Sequence, residues 1–362
     1  MKKKSSKKIR LHLTNIKGLG ASELIKSLLP ALESQESVSV SEMYVPAEGF
    51  FLTYKPVKKN TKVTTYLRAI SNPISRILEC TLLAGSFNGN SALLVLGDVP
   101  LRCNSTQVVF VQTPQILKTK QFNLSIDGLK YFVSRMLFQY NSAHVKSFIV
   151  QTNVMRDQLL LSYPNLMGRV HVVAQPVPSW LIKSALKRTK RLFQDESLRL
   201  IYPAANYPHK NHELLTFDNL RKVNNWPVKE VIFTLDPSLN LFAAASWIKC
   251  VGILSPSEMV TQYASVDALL FLSKKESYGL PLVEAMYVGL PIVCPDLPYA
   301  RTLCGNKAIY FIHDDVKSLH SAITELNGKL KSGWWPDWSG ELTRIPKSWE
   351  DVAQEFIRIV YD

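Results

Sequence analysis

Two glutamates, Glu276 and Glu284, lie eight positions apart and fall on either side of a predicted helix start. Pro281 suits the first turn of that helix, where its missing N–H costs nothing, and Gly289 suits the residue just past the end. Glu276 is therefore predicted in the loop before the helix, and Glu284 about one turn inside it. Because a helix start carries free N–H groups and the positive end of the helix dipole, this stretch can hold an anion between two carboxylates.

The helix is framed by two apolar runs, residues 267–273 and 290–294, which predict buried strands. In this strand–loop–helix–strand order, the N–H groups near Tyr278, Gly279 and Leu280 face the space beyond the carboxyl edge of the first strand. The glycine lets a ligand approach the backbone closely. A ligand with hydroxyl groups at both ends and phosphate between them fits this arrangement, and a nucleotide sugar is such a ligand. The simpler alternative is that both glutamates are solvated charges.

The whole pattern resembles the retaining glycosyltransferases of family four, the group 1 glycosyl transferases, which carry a Glu-x7-Glu motif here. The resemblance is strongest over residues 250–319. It implies an α/β protein of the GT-B fold, in which two Rossmann-like doubly wound domains face a central cleft. It also implies that Glu284 binds the ribose hydroxyls, that Glu276 contacts the donor sugar, and that the N–H groups named above meet sugar and phosphate.

A further loop follows the strand predicted at residues 198–203 and carries Asn206, His209 and Lys210. The resembled family usually has an arginine and a lysine here, about five apart, that bind the donor diphosphate. Lys210 fits the lysine, but the arginine position falls near Ala205, so one positive contact is missing or comes from elsewhere. The resemblance implies that Lys210 stabilises the departing diphosphate and that His209 and Asn206 hydrogen-bond phosphate. A solvated surface lysine is the alternative.

Near the start of the chain, alternating apolar residues over 9–13 predict a strand, and Gly18 and Gly20 follow in a turn before a helix that Pro30 kinks or ends. Such turns are where open α/β sheets bind ligands. The spacing is not the full dinucleotide fingerprint, so NAD binding is rejected. In the resembled family this loop lies at the mouth of the cleft, where Gly18 and Gly20 let the backbone approach donor phosphates or acceptor. A plain tight turn is the alternative.

Two polar residues, Asp98 and Gln112, follow strands predicted at 92–96 and 108–111. Polar groups at the carboxyl ends of parallel strands line a ligand crevice. Many members of the resembled family have a histidine near the position of Gln112, close to the reacting sugar. Glutamine cannot act as an acid or base but can hydrogen-bond a sugar hydroxyl. Both residues are therefore candidates for the acceptor side of the cleft, with an ordinary loop turn as the alternative for Asp98.

The resemblance also divides the chain. We predict an acceptor-side domain over 1–176 and a donor-binding domain over 177–345, joined by the proline-containing linker around 175–178. The last helix, in 346–362, is predicted to cross back to the first domain. Residues 36–62 carry no clear pattern, and a helix interrupted near Pro73 is predicted over 63–83.

Composition limits the partners. The chain has 362 residues and a formal net charge of +14, which admits nucleic acid, an anionic membrane or anionic small substrates. Nucleic acid is the weakest of the three and is not expected, because zinc-finger spacing and aromatic RNA-binding signatures are missing. The five cysteines lack metal-ligand spacing and fit buried free thiols of a cytoplasmic protein. No run of 18 or more uncharged apolar residues predicts a transmembrane helix.

Two segments bear on membrane association. The lysine-rich start, residues 1–8, suits attraction to anionic headgroups or a solvated, disordered tail. The tryptophans at 334, 335 and 338 suit a membrane interface or, more ordinarily, packing at an interdomain hinge. We expect a cytoplasmic protein, with a peripheral position on the inner face of the cell membrane as a further expectation.

Together with these observations, the resemblance implies a retaining hexosyltransferase of enzyme class EC 2.4 that moves a sugar from a UDP- or GDP-sugar to a glycan or lipid-linked acceptor. Bacterial surface polysaccharide synthesis (O-antigen, lipopolysaccharide, capsule or exopolysaccharide) is the expected setting. Lys210 and the helix start would stabilise the leaving diphosphate without a metal or other cofactor. The alternatives are a nucleotide-sugar 2-epimerase on the same fold, whose paired acid–base residues are not found, and a non-catalytic nucleotide-sugar-binding assembly subunit.

Overall fold

The protein is described from a computed structural model, which describes residues 7–16, 18–68, 74–118, 126–189, 197–216, 226–239 and 245–362. The chain forms two compact units. Unit 1 contains Met1–Gln175 together with Pro346–Asp362, and unit 2 contains Pro176–Ile345. The start of the lysine-rich segment, residues 1–6, and Pro73, near which a helix interruption is predicted, lie outside the described residues.

Unit 1 is built on a parallel sheet in the order β3-β2-β1-β4-β5-β6-β7. Its strands are β1 Lys7–His12, β2 Val38–Pro46, β3 Lys62–Tyr66, β4 Ala92–Val95, β5 Gln107–Phe110, β6 Val145–Val150 and β7 Val170–Val172. The chain runs outward in one direction from β1 to β3 and then returns to the other side of β1 with β4. The carboxyl ends of β1 and β4 therefore flank the point of reversal, where open α/β sheets bind ligands.

Helices cover this sheet in the usual manner of parallel α/β proteins. They are α1 Leu19–Ser34, α2 Ile74–Cys80, α3 Ile126–Asn141, α4 Asn153–Ser162 and, from the end of the chain, α11 Trp349–Tyr361. The helix α11 packs its apolar side against α1 and the sheet, with the Phe356 and Phe110 rings 5.0 Å apart. Helix α1 continues through Pro30 and ends only at Ser34.

Unit 2 is a second parallel sheet in the order β10-β9-β8-β11-β12-β13. Its strands are β8 Leu198–Tyr202, β9 Val228–Phe233, β10 Ile248–Cys250, β11 Ala268–Leu270, β12 Ile292–Pro295 and β13 Ile309–Phe311. Its helices are α5 Ser179–Ser184, α6 Pro256–Ser265, α7 Leu280–Val288, α8 Pro298–Cys304, α9 Val316–Lys331 and α10 Ser339–Leu342. The point of reversal lies between β8 and β11, and the predicted donor loops follow these two strands.

The helix predicted over 63–83 is wrong in its first part. Strand β3 occupies Lys62–Tyr66 at the edge of the sheet, and α2 covers only Ile74–Cys80. The segment left unassigned at 36–62 contains β2, which pairs with both β1 and β3. The Val-Thr-Thr-Tyr sequence of β3 is rich in residues that favour strands, and its position beside β2 decides in favour of a strand.

The structure also shows the cysteines, one of the tryptophans and the lengths of the helices. All five cysteines are free thiols, and Cys80, Cys103, Cys294 and Cys304 are buried, which confirms the expected pattern. Trp338 is buried in unit 2 and its indole N–H donates to the Leu290 carbonyl at 2.9 Å, so this tryptophan packs in the core of its unit. Across the described ranges, the helices are too short or too polar to traverse a bilayer.

Candidate functional site

The helix α7 begins and ends as its sequence predicts. Gly279 is the residue before it, with φ 101° and ψ 57°, and Gly289 follows it with φ 91°. Both dihedrals lie in the left-handed region that glycine adopts at little cost. Pro281 occupies the first turn, and the Leu282 N–H donates to the Gly279 carbonyl at 2.9 Å. The start of α7, with the N–H groups that a first turn cannot pair within the helix, lies just after β11 and its loop.

Backbone hydrogen bonds join the loops after β8 and β11. The His209 carbonyl accepts from the Lys274 N–H at 2.8 Å and from the Ser273 hydroxyl at 3.2 Å. This junction brings Lys210 and Glu276 together, and Lys210 Nζ forms a charge-assisted hydrogen bond to Glu276 Oε1. The two side chains are only 16% and 13% exposed. The two catalytic candidates from the sequence thus form one partly buried ion pair at the point of sheet reversal.

A buried tyrosine hydrogen-bonds to the backbone of Lys210. The Tyr202 hydroxyl, at the end of β8, donates to the Lys210 carbonyl at 2.8 Å, and its ring packs 5.5 Å from Phe271. Burial, and then the nearby Glu276 carboxylate, raises the pKa of Tyr202 well above its usual value, so the phenol stays protonated and keeps donating. The hydrogen bond from Tyr202 therefore holds the backbone of Lys210, while the Lys210 ammonium group pairs with Glu276.

His209 lies beside the ion pair as a neutral side chain. Its ring stacks on Tyr207 at 5.6 Å with an interplanar angle of 8°. Burial, and to a smaller extent the charges on Lys210 and Lys275, lower its pKa to about 4, although Glu276 opposes them. At neutral pH the imidazole can donate one hydrogen bond and accept another. No motif in the sequence selects Lys275, whose charge acts on this histidine in the folded unit.

Glu284 is buried and held by a partner from another helix. The Tyr263 hydroxyl donates to Glu284 Oε2 at 2.6 Å. Tyr263 lies near the end of α6, whose start is fixed by the capping box that Ser255 and Glu258 form, as their sequence pattern predicts. Because Tyr263 is fully buried, its hydrogen bond to Oε2 sets the direction of the Glu284 carboxylate.

The remaining donor candidates differ in exposure. The Tyr278 side chain is buried, so any ligand contact there would come from its backbone. Leu280 is partly buried and opens α7. Asn206 is exposed in the loop after β8. The Cβ of an alanine at Gly279 would stand 3.2 Å from Leu282 Cδ1, in addition to its left-handed backbone, so this position is restricted in two ways.

In unit 1, the structure brings Asp98 and Gln112 into contact. Asp98 Oδ1 accepts from the backbone N–H groups of Gln112 at 2.5 Å and Thr113 at 3.0 Å. The Gln112 amide donates to the Leu96 carbonyl at 2.8 Å. Burial raises the pKa of Asp98 to about 6, although the two N–H donors favour its ionised form. Asp98 has φ 66°, so this carboxylate holds the ends of β4 and β5 together at some backbone cost.

A buried charge cluster near the end of β1 was missed from the sequence. Glu79 pairs with Arg76 and Arg68, each at 2.9 Å, and with His12 at 3.1 Å, and it accepts from the Thr14 hydroxyl. Burial alone would raise the pKa of Glu79, but Arg76 and then His12 outweigh it and hold the pKa far below its usual range. Burial lowers the pKa of His12. The five residues are spread over 68 positions, and only Arg76 and Glu79, three positions apart on α2, form a local pair.

The cluster fixes the loop that carries the first glycines. Arg68 Nη2 donates to the Thr14 carbonyl at 3.0 Å, and Gly18 precedes α1 with φ −70° and ψ 140°. Gly20, predicted in the turn before the helix, lies inside the first turn of α1, because the helix begins at Leu19. A Cβ at Gly18 or Gly20 would meet nothing within 4 Å. Neither glycine is therefore required by backbone conformation or by packing within the described chain. Close approach of a ligand is a remaining physical reason for glycine at this edge of the sheet.

Each unit thus gathers its own candidates. Unit 2 joins Lys210 with Glu276 and flanks them with His209, and unit 1 joins Asp98 with Gln112 beside the glycine loop. Glu284 is anchored separately by Tyr263 on the helix that the loop of Glu276 leads into. In the ranges that the structure describes, no group of three or more histidine, cysteine, aspartate or glutamate side chains is arranged to hold a metal ion.

One segment of unit 2 is similar to known proteins. Residues 246–327 match the family described as Glycosyl transferases group 1. Glu276, Glu284 and the whole of α7 lie inside the matched segment, and Lys210 lies before it. The O-antigen chain mannosyltransferase RfbU of Salmonella typhimurium is 34% identical over 73 residues, which is 20% of this chain and 21% of that protein. The chain thus spans about a fifth of the length of the curated relatives it matches.

Solved structures match along nearly the whole chain. Sucrose-phosphate synthase from Thermosynechococcus elongatus has a TM-score of 0.70 at 13% identity, covering 98% of both chains. Anabaena HepE, solved in complex with UDP and glucose, has a TM-score of 0.62 at 13% identity, covering 98% of this chain and 99% of HepE. At this identity the likeness is one of fold. The predicted α/β fold class, GT-B with two Rossmann-like units, is confirmed.

Proposed function

We propose that this protein is a glycosyltransferase that moves a sugar from a nucleotide-sugar donor to a glycan or lipid-linked acceptor with retention of configuration. The observation that carries the proposal is the ion pair of Lys210 and Glu276 at the point of sheet reversal in unit 2, beside the start of α7. A cation, a carboxylate and free N–H groups at one sheet edge are what a sugar diphosphate needs. The match of residues 246–327 to group 1 glycosyl transferases supports the same conclusion.

The donor binds along the edge of unit 2 in this proposal. Glu284, oriented by Tyr263, accepts from the ribose hydroxyls. Lys210 and the N–H groups at Gly279 and Leu280 bind the diphosphate, with His209 and Asn206 as neutral hydrogen-bonding groups. UDP and GDP are the expected carriers, and the presence of UDP in the HepE structure supports a nucleoside diphosphate in this fold.

Donor binding would rearrange the ion pair. In the free protein Lys210 is neutralised by Glu276. A diphosphate brings two or more negative charges, so Lys210 turns to phosphate and leaves Glu276 to accept from hydroxyls of the donor sugar. As the glycosidic bond breaks, negative charge grows on the diphosphate, and Lys210 and the helix start stabilise that charge. We propose no protein nucleophile and no metal for this step, and full turnover after chelation of divalent ions would be the expected outcome.

The acceptor is assigned to unit 1. Asp98 and Gln112 at the ends of β4 and β5, and Gly18 and Gly20 at the start of α1, supply hydroxyl-binding groups and open backbone. The similarity of one segment to the O-antigen mannosyltransferase RfbU favours a surface-polysaccharide acceptor. We propose that the enzyme works in the cytoplasm, where nucleotide sugars are made, and that its acceptor is a growing glycan or a lipid-linked oligosaccharide.

A thermal-shift panel with UDP, GDP, ADP, TDP and CMP tests the proposal first. A ligand at about 100 times its dissociation constant adds roughly 2.7 kcal/mol to the free energy of unfolding. One diphosphate should stand out, and its shift should fall in Glu284→Gln. The corresponding nucleotide sugars are then offered with glycan acceptors, and NMR of the product reports the anomeric configuration. Binding without turnover across acceptors would favour an assembly subunit, and epimerised donor without acceptor would favour a 2-epimerase.

A further inference from the structure

A short segment after α5 contacts the carboxyl ends of two helices of unit 2. We call residues 185–189 the strap. The strap contacts α7, since the Arg188 N–H donates to the Val288 carbonyl at 2.6 Å. It contacts α6 as well, since Arg188 Nη1 donates to the Tyr263 carbonyl at 2.9 Å and also to the Ala264 carbonyl. One residue thus binds both helices, α7 with its backbone and α6 with its side chain.

The strap also supplies the cations that these helix ends lack. The last carbonyl groups of a helix have no partner within it and carry the negative end of its dipole, so a cation there is stabilising. Neither α6 nor α7 has a basic residue in its last turn. Arg188 provides the charge at α6, and the Lys187 ammonium group donates to the Tyr287 carbonyl of α7 at 2.6 Å. The strap is therefore bound to the helices by charge as well as by its backbone.

Gly289 allows the strap to come this close to α7. A Cβ at Gly289 would stand 2.6 Å from the Arg188 carbonyl oxygen, which is too close for any real contact. A larger residue would therefore displace the strap, in addition to straining a backbone with φ 91°. The glycine that ends α7 is thus also the point at which the strap is seated.

The two helices that Arg188 joins are the two that form the Glu284 contact. The Tyr263 hydroxyl on α6 donates to Glu284 Oε2 on α7 at 2.6 Å. Glu284 lies about one turn before Val288, so the Arg188 N–H holds the same helix close to the carboxylate. The Arg188 side chain holds the backbone of the tyrosine that makes the contact. Because a hydrogen bond weakens steeply with poor distance or angle, a small shift between the helices would disturb it.

We infer that Arg188 is a positioning residue for the donor site, which acts through Tyr263 on the direction of the Glu284 carboxylate. The inference rests on the proposed function, in which Glu284 accepts from the ribose hydroxyls. Arg188 lies at the end of α7, whereas the diphosphate is proposed to bind at its start. The nine residues of the helix separate the two by about 13 Å, so Arg188 has no direct contact with the diphosphate.

The experiment is a double-mutant cycle on the full-length protein. Arg188→Met, Glu284→Gln and the protein with both changes are compared with the wild type by isothermal titration calorimetry. The ligand is UDP or GDP, whichever gives the larger thermal shift, and its 2′,3′-dideoxyribose form.

The matched control is Arg169→Met, at a half-buried arginine of unit 1 that also donates to backbone carbonyls. Its partners are the carbonyls of Ser142, Val145 and Asn165. Both arginine variants should lose thermal stability, so a loss of stability alone does not separate a positioning role from a structural one.

We expect Arg188→Met to weaken nucleotide binding by about five- to thirtyfold, while Arg169→Met leaves it within about twofold of the wild type. Arg188→Met should also reduce the preference for ribose over dideoxyribose. In the Glu284→Gln background, Arg188→Met should change affinity by less than about twofold, because residues that act through one contact are not additive. Arg188→Lys, which keeps a cation for the two carbonyls, should recover most of the affinity.

Equal losses from Arg188→Met in the wild type and in the Glu284→Gln background would overturn the inference and make Arg188 an ordinary helix cap. A ribose preference that Arg188→Met leaves intact would do the same. If Glu284→Gln itself does not change nucleotide binding, the proposed ribose contact fails and the inference fails with it, which is a different result from the first two. If Arg188→Met does not fold, Arg188→Gln, which keeps a donor without charge, takes its place in the same cycle.

Discussion

Replacing Lys210 with methionine tests the central contact of the donor site. Methionine keeps an unbranched apolar side chain and removes the ammonium group, whose nitrogen lies 5.9 Å from the centre of the Phe271 ring. In the proposed complex that group makes charge-assisted hydrogen bonds to the diphosphate, which contribute about 1.5 to 3 kcal/mol each. We therefore expect nucleoside diphosphate binding to weaken by roughly 10- to 150-fold. Turnover should fall further, by about 10² to 10³, because charge on the diphosphate grows in the transition state.

The structure offers a close control. Lys274 lies in the same loop as Glu276 and pairs with Glu213 at 3.3 Å and Asp314 at 3.1 Å. Its side chain is 31% exposed and both partners are mainly exposed, so the pair contributes only about 0 to 1 kcal/mol. Lys274→Met should leave diphosphate binding within about fivefold of the wild type, as a weak surface pair implies. The assay is isothermal titration calorimetry with the diphosphate selected by the thermal-shift panel.

One complication is built into the ion pair. Lys210→Met leaves Glu276 poorly solvated without its partner, and this lowers the free energy of unfolding by about 1 to 3 kcal/mol. A second change, Glu276→Gln, removes the unpaired charge and should restore most of the stability. It should not restore binding of the diphosphate, which carries no sugar for residue 276 to contact. If the doubly changed protein binds diphosphate as tightly as the wild type, Lys210 is a structural residue and the proposed donor site is wrong.

Three further predictions concern other parts of the two units. Glu284→Gln should weaken nucleotide binding by about 1.5 to 3 kcal/mol and remove the preference for ribose over 2′,3′-dideoxyribose, both measurable by calorimetry; a preference that survives would contradict the ribose assignment. Gly20→Ala, inside α1 with open space around its Cβ, should raise the free energy of unfolding by about 0.5 to 1 kcal/mol in urea titrations yet reduce transfer; unimpaired transfer would favour a plain turn. Burial, and then the charges on Lys210 and His209, lower the pKa of His212 from 6.5 to about 4. Between pH 6.5 and pH 4 the unfolded chain therefore binds more protons than the folded chain. The free energy of unfolding should fall by up to about 3 kcal/mol as the pH drops through this range. Denaturation at a series of pH values should show that this part of the slope is lost in His212→Phe; an equal slope in both proteins would show that the group is not responsible.

Local sequence was sufficient where the backbone itself is constrained. Pro281 and Gly289 specify the ends of α7, because one lacks an N–H and the other tolerates left-handed dihedrals. The runs of apolar residues around β11 and β12 predict strands that are buried on both faces. Together these features placed Glu276 before the helix and Glu284 within it, which is where the structure has them.

Contacts between residues far apart in the chain could not be predicted from these local sequence features. Most residues of strand β3 are exposed, so its sequence shows little alternation of apolar and polar residues. Only its pairing with β2 in the folded sheet identifies it as a strand. The ion cluster of Glu79 joins His12 and Arg68 across stretches of chain that come together only in the folded sheet. The ion pair of Lys210 and Glu276 is likewise 66 positions apart, and the resemblance to a family, rather than any spacing, suggested that both residues face one ligand.

The folded unit also bears on the positive contact missing near Ala205. Lys210 comes from the loop after β8, while Lys275 comes from the loop after β11, and the charges of both lower the pKa of His209. The two ammonium groups are thus near one neutral imidazole, although their residues lie 65 positions apart in the chain. Electrostatic stabilisation of a diphosphate depends on where the charges lie and not on which strand supplies them. A second cation from the neighbouring loop would therefore serve a donor site that lacks arginine, and would leave the Lys210→Met protein with measurable affinity instead of none.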